Sequence, residues 1–359
     1  MRRRKIVVSL VVVAVLAVVS GVLVWLLPGR ASAQLIGPRA PAVAQAEAAR
    51  AVAGARTVDV TLIATRTTVA IGGRTVETWA FNGTVPGPTI RVAAGDVVRA
   101  RVVNQLTAPL TVHWHGIALR NDMDGVPGLT QAPMAPGADF TYQFTAPDPG
   151  TYFYHSHVGT QLDRGLYGAL IVDDRGQPSS PTPNIPLLLD DWLDGTGQTP
   201  DEALKQLQSM NMGSGSMPGM YHGSMGGMDM GSGSSGGSMS SMGMGSSGVD
   251  ADHPLGTDTA DLTYPAYLIN GRSAAAPAVY PVAAGQQVRL RLVNAGAATP
   301  FRVAFGGGRM TVVATDGYPV TPVATDSLLI GMGERYDVLV TAPATGTVPL
   351  VAAAEGRSG

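Results

Sequence analysis

From Thr57 onward the apolar side chains recur in short runs and not at helical spacing. Val58, Val60 and Leu62 alternate with Thr57, Asp59 and Thr61, the period of a strand with one buried face. Gly72-Gly73 divides two such runs and predicts a hairpin turn. Short strands of this kind continue to about Asp174, spaced as in a β-sandwich. Pro178, Pro181, Pro183 and Pro186 then predict a linker, and a second strand-rich region starts near Ile185. A Met/Gly/Ser-rich insertion at 209–248 interrupts it. Ahead of the first region, residues 31–56 are rich in Ala and Pro without a clear period, and read as a tether.

The two strand-rich regions repeat each other. Val92-Ala-Ala-Gly-Asp-Val-Val-Arg-Ala-Arg-Val-Val-Asn104 matches Val282-Ala-Ala-Gly-Gln-Gln-Val-Arg-Leu-Arg-Leu-Val-Asn294. Thr145-Ala-Pro-Asp-Pro-Gly-Thr151 matches Thr341-Ala-Pro-Ala-Thr-Gly-Thr347 in the same order. This predicts an all-β chain built as two copies of one antiparallel sandwich, over 57–175 and 176–359.

The N-terminus carries a different signal. Met1-Arg-Arg-Arg-Lys5 precedes an uncharged run from Ile6 to Leu27. That run is longer than a usual signal-peptide core and long enough to span a bilayer, which takes about 20 residues. The basic cluster would stay cytoplasmic and the rest be exported. The expectation is a membrane anchor over residues 1–30, with both sandwiches outside the cytoplasm. The alternative is secretion after cleavage near Ala33, where Ala31-Ser32-Ala33 resembles a cleavage site.

Composition narrows the function classes. Charged residues are 14% of the chain, below the usual quarter. The formal net charge of −2 and the lack of a basic patch give no footprint for nucleic acid. There is no cysteine, which excludes a disulfide scaffold.

Four of the six histidines stand in two His-x-His pairs, His113-Trp114-His115 and His155-Ser156-His157. Residues i and i+2 of a strand share a face, so each pair presents two imidazoles side by side. Neutral imidazole binds copper, zinc and iron, and four could close a tetrahedral zinc site. A lone strand histidine is ordinarily a solvated or hydrogen-bonded side chain. The duplication argues against that here. Extending the two matches sets His113 and His115 opposite Val303 and Phe305, and His155 and His157 opposite Val351 and Ala353. The fold does not require histidine at these places.

The surrounding residues carry a resemblance. Phe81-Asn-Gly-Thr-Val-Pro-Gly-Pro-Thr-Ile-Arg91, Thr111-Val-His-Trp-His-Gly116, Asp124-Gly-Val-Pro127 and Pro149-Gly-Thr-Tyr-Phe-Tyr-His-Ser-His-Val-Gly159 resemble the first domain of multicopper oxidases. That family includes laccases, ascorbate oxidases and bacterial cuprous oxidases. Tyr267-Leu-Ile-Asn-Gly-Arg272 and Leu329-Ile-Gly-Met-Gly-Glu-Arg-Tyr336 resemble its second domain. The resemblance covers about residues 57–355. It implies two tandem cupredoxin-like Greek-key sandwiches, with copper as the metal. It further implies that His113 binds a type 2 copper and that His115, His155 and His157 bind a type 3 pair, in a trinuclear cluster where O2 is reduced to water. Asp124 matches a carboxylate thought to assist proton delivery; the plainer reading is a turn residue before Gly125.

The resemblance also marks what is missing. The family's last domain carries a His-x-x-His-x-His and a His-Cys-His motif, and neither occurs here. A type 1 blue site needs a cysteine thiolate, so none can form in this chain. The expectation is therefore half of a trinuclear site. The other half would come from a third cupredoxin domain, in a longer chain or a partner subunit, and residues 1–359 alone would be inactive.

Met210, Met212, Met217, Met220, Met225, Met228, Met230, Met239, Met242 and Met244 lie in the insertion with His222, among Gly and Ser. Methionine thioether is a soft ligand that selects Cu(I), whereas a plain linker needs only Gly and Ser. Cu(I) capture and an inert loop of biased composition both fit. His253, before Pro254, reads as a loop residue. The reading as a whole is an exported multicopper oxidase acting on Cu(I) or phenolic reductants. The rival is a copper-binding or copper-storage cupredoxin protein without turnover.

Overall fold

The computed structural model describes residues 40–176, 182–213, 255, 259 and 262–357. A short helix, α1 (Pro41–Ala48), precedes the first sandwich. Its strands are β1 (Thr57–Ile71), β2 (Arg74–Phe81), β3 (Ile90–Ala93), β4 (Val97–Asn104), β5 (Val112–His115), β6 (Asp139–Thr145), β7 (Gly150–Ser156) and β8 (Tyr167–Asp173). One sheet has the order β2-β1-β4-β6 and the other β3-β8-β7-β5. The predicted alternation in β1 is present, with Leu62 and Ala64 fully buried and Asp59 and Thr61 exposed. Gly72 (φ +55°) and Gly73 (φ +82°) make the β1–β2 turn, both left-handed as a tight hairpin turn of that hand requires. Leu62, Val98, Val102, Trp114, Tyr142, Phe144, Tyr154 and Leu170 fill the space between the sheets.

The second sandwich follows as β9 (Asn184–Trp192), helix α2 (Pro200–Gly213), β10 (Ala266–Ile269), β11 (Gln287–Asn294), β12 (Phe301–Phe305), β13 (Met310–Thr315), β14 (Tyr318–Thr325), β15 (Ser327–Ile330), β16 (Arg335–Thr341) and β17 (Leu350–Ala354). Its sheets are β10-β9-β11-β16-β13-β14 and β15-β12-β17. The first copy runs β1 parallel to β4 and β4 antiparallel to β6. The second runs β9 parallel to β11 and β11 antiparallel to β16. The duplication read from sequence is thus a duplication of topology.

One detail of that duplication is corrected. Asn104 donates to the carbonyl of Ala108, four residues on, whereas Asn294 donates to Thr299, five on. The second copy carries one extra residue in this turn. Leu110 pairs with Met134, and its counterpart Phe301 pairs with Ile330. His113 therefore corresponds to Ala304, not Val303, and His115 to Gly306, not Phe305. The cross-strand pair His113↔His155 corresponds to Ala304↔Val351. The counterparts are still not ligands.

The linker is shorter than the prolines suggest. β9 begins at Asn184 and contains Pro186, which pairs with Arg291 in the parallel register. β10 pairs only with Leu189–Trp192 on the other edge, so Pro186 interrupts no ladder there. The stretch read as a tether folds onto the first domain from residue 40. Glu47 accepts the Thr145 N–H at 2.5 Å, and Arg50 donates to the Ala118 carbonyl at 2.6 Å. Helix α2 starts on a capping box, with Thr199 and Glu202 bonding each other's backbone N–H.

The two sandwiches share a packed interface. Phe153, Tyr167, Ala169 and Ile171 of the first meet Leu188, Val293 and Ala295 of the second. Beside them, buried Asp337 accepts Thr151 Oγ1 at 2.5 Å and Arg291 at 3.0 Å. The expected anchor at 1–30 lies outside the described residues, and no described helix is long and apolar enough to cross a membrane. Met217, Met220, His222, Met225, Met228, Met230, Met239, Met242, Met244 and His253 also lie outside the described residues. Met210 and Met212 fall in α2, where no side-chain position is described.

Candidate metal centre

Strand alternation builds the site. In β5, Trp114 points into the core against Tyr142, Phe144 and Tyr154, which turns His113 and His115 to the opposite face. On β7, Tyr152 and Tyr154 point into the same core, which turns Phe153 and His155 outward. The antiparallel register sets His113 directly across from His155. His157 follows one residue beyond the strand.

The four imidazoles converge. The His113 ring centre lies 5.6 Å from that of His115, 5.4 Å from His155 and 5.3 Å from His157. His115 and His155 are 5.5 Å apart, and His155 and His157 5.8 Å. One ring nitrogen from each of His113, His115 and His155 lies within 4.8 Å of the others. Of the four, His157 alone stands outside that tight group.

Second contacts fix which nitrogen faces inward. His113 Nδ1 bonds the Asp124 carbonyl at 2.7 Å, with the Asp124 carboxylate at 3.2 Å. His155 Nδ1 bonds the Ser156 carbonyl at 2.8 Å. Both Nδ1 atoms are thereby donors, which leaves Nε2 as the free lone pair. His115 is reversed: its Nδ1 lies 3.3 Å from His155 Nε2. Phe153 stacks beside both rings, 4.4 Å from His115 and 5.1 Å from His155.

The second domain closes one side. The turn between β15 and β16 brings Gly333 against His115, where a Cβ would lie 3.0 Å from Cε1 and 3.1 Å from Nε2. Arg335 packs on Gly116 and donates to the carbonyls of Gly333 and Asp316, each at 2.9 Å. Sequence reasoning placed Gly333 and Arg335 only in a family-like motif and missed their contact with the site. It missed Phe153 as well. Only the topology brings the turn beside β5.

Electrostatics favour neutral ligands. Burial, then repulsion from His155 and Arg335, pushes the His115 pKa down to about 3. Burial likewise lowers His155 to about 4. His113 differs: burial works against its proton, but the hydrogen bonds and charge of Asp124 outweigh it and raise its pKa. Asp124 sits at the end of a short 3-10 turn, Asn121–Met123, so both the turn role and the approach to the cluster apply to it.

The donor set fits copper. It is all imidazole, neutral where most buried, and carries hydrogen-bonded outer partners that fix the tautomers. The chain has no cysteine, so a type 1 copper has no thiolate in it.

Comparison with known proteins extends the picture. Residues 63–177 and 248–358 each match a family model described as multicopper oxidase. Multicopper oxidase MmcO of Mycobacterium tuberculosis is 46% identical over 317 residues, covering 88% of this chain and 58% of that protein. Copper resistance protein A of Escherichia coli is 33% identical over 287 residues, 76% of this chain and 44% of its own length. The chain thus spans about half the length of these curated relatives. Among solved structures, blue copper oxidase from Nitrosomonas europaea superposes with a TM-score of 0.60 at 30% identity, over 83% of this chain and 79% of that one. A multi-copper oxidase from Pseudomonas Thermotolerans gives 0.62 at 28%, over 84% and 62%.

Proposed function

This chain belongs to the multicopper oxidase family, whose members use copper, and we propose that its first domain supplies four histidine ligands to a trinuclear copper site. The enzyme it serves would oxidise Cu(I) or phenolic reductants with O2 as acceptor. Copper bound there supplies one-electron redox chemistry and reduction of O2 to water.

The convergence of His113, His115, His155 and His157 carries this reading. Their places in the second copy hold Ala304, Gly306, Val351 and Ala353. The chain's own residues do the holding. Phe153 sets the ring planes of His115 and His155. Asp124 fixes the tautomer of His113, and its partly exposed carboxylate can pass a proton between that imidazole and solvent. The Gly333–Arg335 turn shields His115 from water. His113 would hold the type 2 copper and the other three the type 3 pair.

The remaining cluster ligands and the type 1 thiolate have to come from a third cupredoxin domain, in cis or from a partner. The relatives named for copper resistance favour Cu(I) as reductant, with the Met-rich insertion as a capture segment. The basic and apolar N-terminus supports export with a membrane tether.

The test is O2 uptake driven by Cu(I), in a preparation that also carries the remaining ligands. Single H113A and H155A substitutions should each abolish it. Uptake that survives either change would contradict the assignment.

A further inference from the structure

The first copy leaves its ladder at the fourth histidine, and the second does not. In the second copy β12 and β17 stay paired through Arg302↔Ala353 and Phe301↔Ala354. The Glu355 N–H then donates to the Pro300 carbonyl at 2.9 Å. In the first copy Thr111 and His157 take the places of Arg302 and Ala353, and Pro109 that of Pro300. There β5 and β7 end their pairing at Val112↔Ser156. His157 therefore sits where the chain turns out of the sheet.

One buried side chain spans that departure. Gln161 is 5% exposed and Ser156 4%. Ser156 Oγ donates to Gln161 Oε1 at 2.6 Å, and Gln161 Nε2 donates to the Pro109 carbonyl at 2.8 Å. Pro109 thus receives from a side chain what Pro300 receives from the main chain. Ser156 has Ala352 as its counterpart, which has no hydroxyl to offer. An amide can accept and donate at once, and this one ties the residue before His157 to the residue four before His113. Around His157, the Val158 N–H donates to Ser156 Oγ at 3.3 Å, and the Gln161 N–H to the Val158 carbonyl at 3.3 Å. The His157 ring lies 5.3 Å from that of His113 and 5.8 Å from that of His155. Among the described residues no hydrogen bond reaches it, so the loop backbone aims it.

We propose that Gln161 is the positioning residue for His157, locking the 156–161 loop so that the fourth imidazole faces the other three. This rests on the reading of His157 as a copper ligand. Gln161 acts through Ser156 and the loop backbone, not on the metal. The loop has a second clasp: Thr160 and Arg164 donate to Asp201 of α2 at 2.6 and 2.9 Å. Asp201 is exposed, and ion pairs and hydrogen bonds of that kind are weak in water. The buried amide, not the exposed carboxylate, fixes the loop.

The test uses purified 1–359 and two variants. Gln161→Met keeps roughly the side-chain volume and removes both hydrogen bonds. Ser156→Ala cuts the same strut from its other end, and carries the test if Gln161→Met fails to fold. Without copper, the nuclear Overhauser contact between the His113 and His157 rings should be present in the parent and lost in both variants, while the contact between His113 and His155 stays. With Cu(II), affinity should fall about 10–100-fold, the range for disturbed outer partners of a ligand, and match that of His157→Ala. Asp201→Ala should leave both readouts at the parent value. Variants that keep the His113–His157 contact would overturn the proposal, and so would an Asp201→Ala protein as impaired as Gln161→Met. If His157→Ala binds copper as tightly as the parent, the ligand reading fails instead, and the ring contact still decides whether Gln161 places His157.

Discussion

The Nδ1 of His115 lies 3.3 Å from the Nε2 of His155 across adjacent strands, with both imidazoles held neutral. His155 spends its own Nδ1 on the Ser156 carbonyl, so the lone pair of its Nε2 faces His115. Without metal, the His115 Nδ1–H can donate to that lone pair. With metal, two lone pairs are presented to one side. This pair sets how the site responds to pH.

His115 and His155 titrate at about 3 and about 4 in the fold, against about 6.5 in an unfolded chain. Between those values the unfolded chain binds more protons, so stability rises with pH. The contribution of these two groups should be complete above about pH 6.5 and be lost steadily down to about pH 3. Urea denaturation at pH 7 and pH 4.5 measures this, and H155F should flatten the slope. An H155F protein whose stability changes with pH as steeply as the parent's would refute the burial argument.

Asp163 works in the opposite direction. Burial, then the nearby Asp191 and Asp194, pushes its carboxyl up to about 7, and its Oδ1 is buried without a hydrogen-bond partner. The folded state then binds more protons than the unfolded between about pH 4 and 7, so this group costs stability as pH rises through 7. The advantage of D163N over the parent should be greater at pH 8 than at pH 5.5, by about 1–2 kcal/mol. An advantage independent of pH would show that Asp163 does not titrate there.

Gly333→Ala tests the second domain's hold on the site. The new Cβ would crowd His115 at 3.0–3.1 Å, and the backbone at φ +77° disfavours any side chain. The expected result is a loss of about 1 kcal/mol in stability and a fall in copper affinity of about 10–100-fold, the range for disturbed outer contacts. Copper titration with a competing chelator reads the second effect. Unchanged affinity would mean that the turn only covers His115.

Much of this was legible before any coordinates. The strand period, the duplication and the two histidine pairs are local or repeated signals, and each is written in the chain. The misses have physical causes. A single inserted residue after Asn294 shifts β12 without changing its composition, so the alignment slipped by one. Helix α2 did carry a readable start in Thr199-Pro-Asp-Glu202, which the neighbouring Gly and Met residues obscured. Helix α1 has no buried residue, hence no apolar stripe to detect. Phe153 and Gly333 act through cross-strand and cross-domain contacts that no sequence window contains.

Asp337→Ala probes the interface that carries this arrangement. It leaves buried Arg291 with only the more distant Asp173 carboxylate, at 3.9 Å, and Thr151 Oγ1 without its acceptor. Removing one partner of such a buried pair costs about 3–5 kcal/mol. Calorimetry should show a large fall in Tm and, if the domains separate, two transitions in place of one. A shift under a degree would place the stability of the interface in the apolar contacts of Phe153, Ile171, Leu188 and Val293 alone.

The most direct test of the central claim is electron paramagnetic resonance of purified 1–359 loaded with Cu(II). The prediction is a nitrogen superhyperfine pattern from several imidazoles. It should be lost in the variant with His113, His115, His155 and His157 all changed to Ala, and retained when the ten methionines of the insertion are changed to Ser. A nitrogen signal that survives the four-histidine change, or that depends on the methionines, would contradict it.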